Sequence, residues 1–190
     1  KNGSPYKMSK RAGNFVTLNE MISEVGKDVV RFLMLTRKND APLDFDFAKA
    51  LDQSKDNAVF YVQYAHARCS SIIKKAADMQ FKWELSKSTE VDLSLLLTDH
   101  EKRLMLKICE WPRVVELAGA SHEPHRIVFY LCELAAEMHS FQHEGKLKSE
   151  LRVLTENKDM MAARLSLISA IQQVISIGLG ILGVSPLTRM

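Results

Sequence analysis

The chain has 190 residues, 46% of them hydrophobic and 26% charged, with a formal net charge of +3. That balance fills a core and excludes a largely disordered chain, while the mild basicity permits a nucleic-acid partner without arguing for one. With 5 prolines and 8 glycines among abundant Leu, Ala, Met, Lys and Glu, helix is favoured over strand.

Lys1 to Phe15 carries Gly3, Pro5, Gly13 and several lysines with no hydrophobic period, the pattern of a mobile basic loop. Thr17 with Glu20 three residues on forms a capping box ahead of Leu18, Met21, Ile22 and Val25, and Gly26 supplies the stop. A second short helix is expected from Lys27 to about Arg37, ended by Asn39, Asp40 and Pro42. Asp46 or a near neighbour opens a third helix, expected to be the longest. Its stripe is Leu51, Ala58, Val62, Ala65, Cys69, Ile72 and Ala76.

Gln80 to Asp92 is polar and reads as a connection. Asp99 then caps a helix with Leu104, Ile108 and Trp111 inward, Pro112 marking a kink or a new first turn, and an end near Gly119. From Ser121 and Pro124 a helix runs to about His143 on Ile127, Leu131, Leu134, Met138 and Phe141, with Gly145 closing it. After a polar stretch from Glu150 to Asp159, the last helix carries Met161, Leu165, Ile168, Ile175, Leu179 and Leu182. Leu165 to Val184 is apolar enough to suggest a membrane span. Arg164, Ser166, Ser169, Gln172, Gln173 and Ser176 recur along it, however, and adjacent glutamines are costly in lipid. A buried helix is expected there. No segment alternates, so the fold expected is an all-α, antiparallel helix bundle over 46–190 with a loop-rich N-terminal extension over 1–45.

Cys69, Cys109 and Cys132 are far apart and odd in number, which supports neither a disulfide framework nor a zinc knuckle. Each falls at an apolar helical position and is expected as a small buried hydrophobe. Reduced thiols and the lack of a signal peptide point to the cytoplasm.

The chemistry-bearing segment is Lys7, Met8, Ser9, Lys10 and Arg11, followed by Gly13. Three cations in five residues on a glycine-flanked loop can fold over a polyphosphate and neutralise charge as pyrophosphate departs. On composition alone, a solvated basic loop or terminal arm is the better explanation of these residues. The residues downstream of the loop change the balance.

Lys7-Met8-Ser9-Lys10 matches the signature loop of class I aminoacyl-tRNA synthetases, with Arg11 in place of the usual final serine. The runs Leu43-Asp44-Phe45-Asp46 and Asp56 to Arg68 (DNAVFYVQYAHAR) resemble the arginyl-tRNA synthetase family in particular. The likeness continues through Phe129-Tyr130-Leu131 to the ending at Met190. Ala58 stands where proline is common in that family, and Gln142 where tyrosine is common.

The resemblance implies activation of arginine with ATP and transfer to tRNA(Arg), with Mg2+ accompanying ATP in the full enzyme. Lys7, Met8, Ser9 and Lys10 would form the ATP loop, with Lys7 and Lys10 stabilising the triphosphate. The bundle would be the family's DALR anticodon-binding domain. No His-x-Gly-His-type motif or parallel-strand pattern is present, so the chain is expected to be a portion inactive alone; a monomer without bound metal is also expected.

On the third helix Tyr61, Tyr64 and Arg68 lie at three- and four-residue steps, with Gln63 and His66 on neighbouring flanks. Rings can stack on splayed bases, and Arg or Gln can reach phosphates and base edges. Half-buried tyrosines bonded within the bundle are the competing reading. The resemblance tips the group towards RNA and adds Arg189 and Met190.

A cysteinyl-type synthetase domain and a stand-alone helical interaction module are the alternatives. Gly178 to Gly183 spells G-x-G-x-x-G but follows a helix rather than a strand, which argues against a dinucleotide site. His139 and His143 have zinc-compatible spacing but no evident third ligand, so surface or capping roles are expected.

Overall fold

The computed structural model describes residues 16–38, 40–52, 54, 56–81, 83–84 and 90–190. The order is α1 (Leu18–Val25), α2 (Lys27–Met34), α3 (Phe47–Leu51), α4 (Ala58–Asp78), α5 (Asp99–Ser121), α6 (His125–Leu147) and α7 (Lys158–Leu182). Short 3-10 turns at Leu93–Leu95 and Ser149–Leu151 precede α5 and α7. Among the described residues there is no strand, and the all-α expectation holds.

Local chemistry sets the starts. Thr17 Oγ1 accepts from the Glu20 N–H at 3.2 Å, while the Glu20 carboxylate accepts from the Thr17 N–H at 2.6 Å. This is the expected capping box, and Gly26, at φ 88°, ends α1. The cap of α5 falls one residue earlier than expected. Thr98, not Asp99, is the N-cap, because Glu101 lies three residues beyond it and completes a second box.

Three expectations need correction. The helix opened by Asp46 is not the longest: it stops at Leu51, and α4 starts afresh at Ala58. Asn57, buried in the gap, donates from Nδ2 to the Ala50 carbonyl (3.0 Å) and the Asp52 carbonyl (2.7 Å), holding the chain in a bend. Leu51 accordingly leaves the apolar stripe and is 53% exposed. Gly145 does not close α6. It lies inside the helix, where a Cβ would come within 3.1 Å of the Leu151 carbonyl oxygen, so glycine serves close approach there. Cys109 is exposed rather than buried. Burial does push the Cys69 thiol up to about 12 and the half-buried Cys132 thiol up to about 11.

Pro112 sits within α5 without ending it, and the helix stops only where His122 turns left-handed (φ 54°). There the Glu123 N–H bonds the Ala118 carbonyl at 2.9 Å, which closes the last turn.

Consecutive long helices reverse direction. Lys107 on α5 meets Tyr130 and Glu133 on α6, whereas Arg103 meets Glu137. Gln172 of α7 reaches Ser70 of α4. The result places α4 beside α6 and α7, with α5 across the bundle. α4 and α6 run in the same direction, since Tyr61 meets His139 and Arg68 meets Gln142. Phe32 from α2 joins the same core as Val62, Leu131, Met138, Ile168 and Ile175, all fully buried.

α7 is long and apolar enough to cross a membrane by length and composition, yet 61% of its most apolar window is buried inside the bundle. It also carries a buried charge. Arg164, 3% exposed, donates from Nε to the Oε1 of Glu101, 0% exposed, at 2.7 Å. Its Nη1 donates to the Glu150 and Arg152 carbonyls at 2.7 and 2.8 Å. Removing one partner of such a pair leaves the other charged and dry. Arg164→Met should therefore lower unfolding free energy by about 3–5 kcal/mol, read from urea titration by circular dichroism.

Candidate nucleic-acid interface

α4 is built in three faces. Val59, Val62, Ala65, Cys69 and Ala76 point into the core. Tyr61, Tyr64 and Arg68 form the flank towards α6, and Gln63 and His66 form the flank towards the segment after α7.

On the first flank the side chains stack into a column. The Tyr61 ring lies 4.5 Å from the His139 ring at a tilt of 49°, and the Tyr64 ring lies 5.3 Å from it at 23°. The Arg68 guanidinium carbon sits 5.4 Å from the Tyr64 ring centroid, within cation–π reach. Arg68 Nε donates to Gln142 Oε1 at 2.9 Å, which aims the guanidinium along the ring. Tyr64 remains 40% exposed. It thus offers a partly open aromatic surface with a histidine and an arginine beside it.

His139 fixes the base of this column. Its Nε2 lies 3.2 Å from the Tyr61 carbonyl oxygen, which only accepts, so Nε2 carries the proton. Burial lowers the His139 pKa; the bond to the Tyr61 carbonyl opposes that shift, and the nearby Arg68 charge adds to it. Burial raises the Tyr61 hydroxyl pKa, with a smaller effect from Cys132. Both shifts favour the uncharged forms of His139 and Tyr61.

The second flank does different work. Gln63, 6% exposed, donates from Nε2 to the Ser185 carbonyl at 2.9 Å. His66, 4% exposed, places Nδ1 2.8 Å from the Leu187 carbonyl, so this nitrogen too is the donor. The Ser185 N–H donates to Asp28 Oδ2 at 3.0 Å, and Arg31 Nε bonds the Leu182 carbonyl. Arg189 and Met190 lie beyond this anchored tail and are exposed.

The structure thus brings together Tyr61, Tyr64 and Arg68 and turns Gln63 and His66 away to the tail. Lys7, Met8, Ser9 and Lys10 lie outside the described residues. Sequence reasoning gives His139 only a surface or capping role and presents Gln142 only as a departure from a pattern. Their common signal is spacing: they lie three residues apart on α6 and face α4.

An exposed aromatic ring beside an arginine, on one helix pair of a four-helix bundle, is a surface on which a splayed base can stack. Residues 62–190 match the DALR anticodon binding domain, and the chain belongs to that family. The arginine–tRNA ligase of Ruegeria pomeroyi is 52% identical over 191 positions, which cover 100% of this chain and 33% of the relative. The solved structure of the Thermus thermophilus arginyl-tRNA synthetase superposes with a TM-score of 0.74 at 28% identity, covering 95% of this chain and 29% of that one. A Campylobacter jejuni structure assigned as an arginyl-tRNA synthetase gives 0.81 at 28% identity, covering 100% and 38%. The chain spans about a third of the length of the curated relatives it matches.

Each tail anchor is one hydrogen bond from a buried side chain, worth about 1 kcal/mol. Gln63→Ala or His66→Ala should speed amide exchange at Ser185 and Leu187 while leaving the middle of α4 protected. His66→Asn, which keeps a donor near the Nδ1 position, should restore most of the protection.

The lowered pKa of His139 also ties the fold to pH. Its ordinary value is 6.5, so below that pH the unfolded chain takes up the proton first. Stability then falls with acidity until the folded pKa is passed. Denaturant midpoints compared at about pH 7.5 and about pH 5.5 should drop at the lower pH, and less so in His139→Gln.

Proposed function

We propose that this chain is the C-terminal part of an arginine–tRNA ligase and holds the anticodon region of tRNA(Arg) on the α4–α6 face. The observation that carries the reading is the exposed Tyr64 ring, stacked on His139 and flanked by Arg68. A splayed base can stack on such a ring, with the guanidinium reaching a phosphate or a base edge. Tyr61 supports the column from below. Gln63 and His66 act by fixing the tail, which carries Arg189 and Met190 as further contacts. The identity of the relatives and the match to the anticodon-binding family both support this reading.

In the longer enzyme, residues 1–45 would belong to the end of the catalytic region and 46–190 to the anticodon-binding domain. Lys7, Met8, Ser9 and Lys10 would hold the triphosphate of Mg2+-bound ATP during arginine activation, with Lys7 and Lys10 stabilising the charge that develops. Alone, the 190-residue chain would bind tRNA without charging it. It is proposed to act as a cytoplasmic monomer.

Filter binding of the purified chain to tRNA(Arg) and tRNA(Cys) tests the assignment, with preference for the first expected. Tyr64→Ala and Arg68→Ala should each weaken tRNA(Arg) binding by about 1–3 kcal/mol with unchanged thermal melts. Equal affinity for both tRNAs, or collapse of the melts, would contradict it.

A further inference from the structure

The α4–α6 groove does not end at Arg68. Beyond the aromatic column it continues between the same two helices to the turn at Ser149–Leu151, and its character changes along the way. Arg68, Lys75, Lys146 and Arg152 line this upper stretch, over a floor that includes Ile72 and Phe141. No carboxylate is among its lining residues. Lys75, Lys146 and Arg152 are exposed. Among the described residues none of the four has an acidic partner: Arg68 is bonded to Gln142, and Arg152 Nε donates to the Gly145 carbonyl at 3.2 Å. Elsewhere on the bundle, several surface cations are neutralised. Lys38, Arg103, Lys107, Arg126 and Lys148 each lie within ion-pair distance of a glutamate.

Four cations gathered on one groove without counter-charge repel one another, and an anion relieves that repulsion. Their arrangement narrows the kind of anion. On α4 alone, Arg68 and Lys75 are seven residues apart, a rise of ~10 Å. A single small anion cannot span that distance. A strand with regularly repeated phosphates can, and the aromatic end supplies what its bases would need.

Resting on the proposed tRNA-binding role, we infer that Lys75, Lys146 and Arg152 form a phosphate track that binds the backbone of the same RNA strand whose base stacks on Tyr64. The column fixes a base, and the groove above it holds the adjoining phosphodiesters. Because α4 and α6 run in parallel, both rims of the track lengthen in the same direction. Arg68 stands at the junction and touches both halves.

The test is the salt dependence of tRNA(Arg) binding by the full 190-residue chain. Each lost phosphate contact on a single strand lowers the slope of log K against log [salt] by about 0.7. Lys75→Gln with Lys146→Gln should therefore flatten the slope by about 1.4. Arg152→Gln gives a second, independent variant, and thermal melts report whether each protein is folded. Lys102→Gln with Arg113→Gln, on the far helix α5, removes the same charge outside the groove and should leave the slope as in the wild type. Tyr64→Ala should weaken binding with the slope retained. Wild-type binding with an unchanged slope in the Lys75/Lys146 variant, or equal flattening in the α5 control, overturns the track alone. A wild-type chain that fails to bind tRNA even at low salt overturns the functional reading and the track together.

Discussion

The buried guanidinium of Arg164 closes one end of this bundle, and much of the remaining geometry depends on it. It binds Glu101 in the first turn of α5, and it accepts no compromise in position because both groups are dry. Glu101 in turn completes the capping box with Thr98, so one carboxylate both starts a helix and neutralises a buried cation. The Nη1 of Arg164 donates to the Glu150 and Arg152 carbonyls and fixes the turn that joins α6 to α7. A salt bridge of this kind is weak evidence for net stability, since desolvation consumes much of the attraction. Its contribution here is to tie three chain segments together: α7, the first turn of α5 and the turn before α7.

That tie reaches the surface. The same turn brings Arg152 against Gly145, whose missing side chain lets the Leu151 carbonyl come close. Gly145 is thus linked to the placement of exposed charge. At the opposite end, Gly178 allows the Leu131 side chain to pack directly on the α7 backbone, where a Cβ would come within 2.8 Å of Leu131 Cδ2. Tight packing at both ends keeps α6 and α7 rigid, and a rigid α6 holds His139 and Gln142 against α4.

Much of this is legible in the sequence wherever the determining contacts are local. The Thr17–Glu20 box, the Gly26 stop and the core stripes of α6 and α7 depend on residues three or four apart, and pattern alone places them. The break before α4 is not legible, because Asn57 makes it by reaching back to Ala50 and Asp52 while Leu51 continues the apolar spacing. Gly145 resembles a terminator because its reason lies in the later Leu151. The two flanks of α4 pose the same difficulty in sharper form. Tyr61, Tyr64 and Arg68 adjoin the core stripe on one side, and Gln63 and His66 adjoin it on the other. Helical spacing separates the flanks but does not say which one a distant tail will cover. That choice is made by the Ser185 and Leu187 carbonyls, more than a hundred residues away.

The anchored tail also has a metrical consequence. Gln63 and His66 are separated by a rise of ~4.5 Å along α4, whereas the two carbonyls they hold, at Ser185 and Leu187, are two residues apart, ~6.6 Å if fully extended. The tail meets both donors by running alongside the helix with the carbonyls of Ser185 and Leu187 turned inward. Pro186, between the two, has no N–H to leave unsatisfied. The pairing works like a vernier, with two scales of unequal division matched at two marks. A residue inserted before Leu187 would rotate that second carbonyl away from His66, so the phase of the tail, and not its composition alone, determines where the chain's last residues stand.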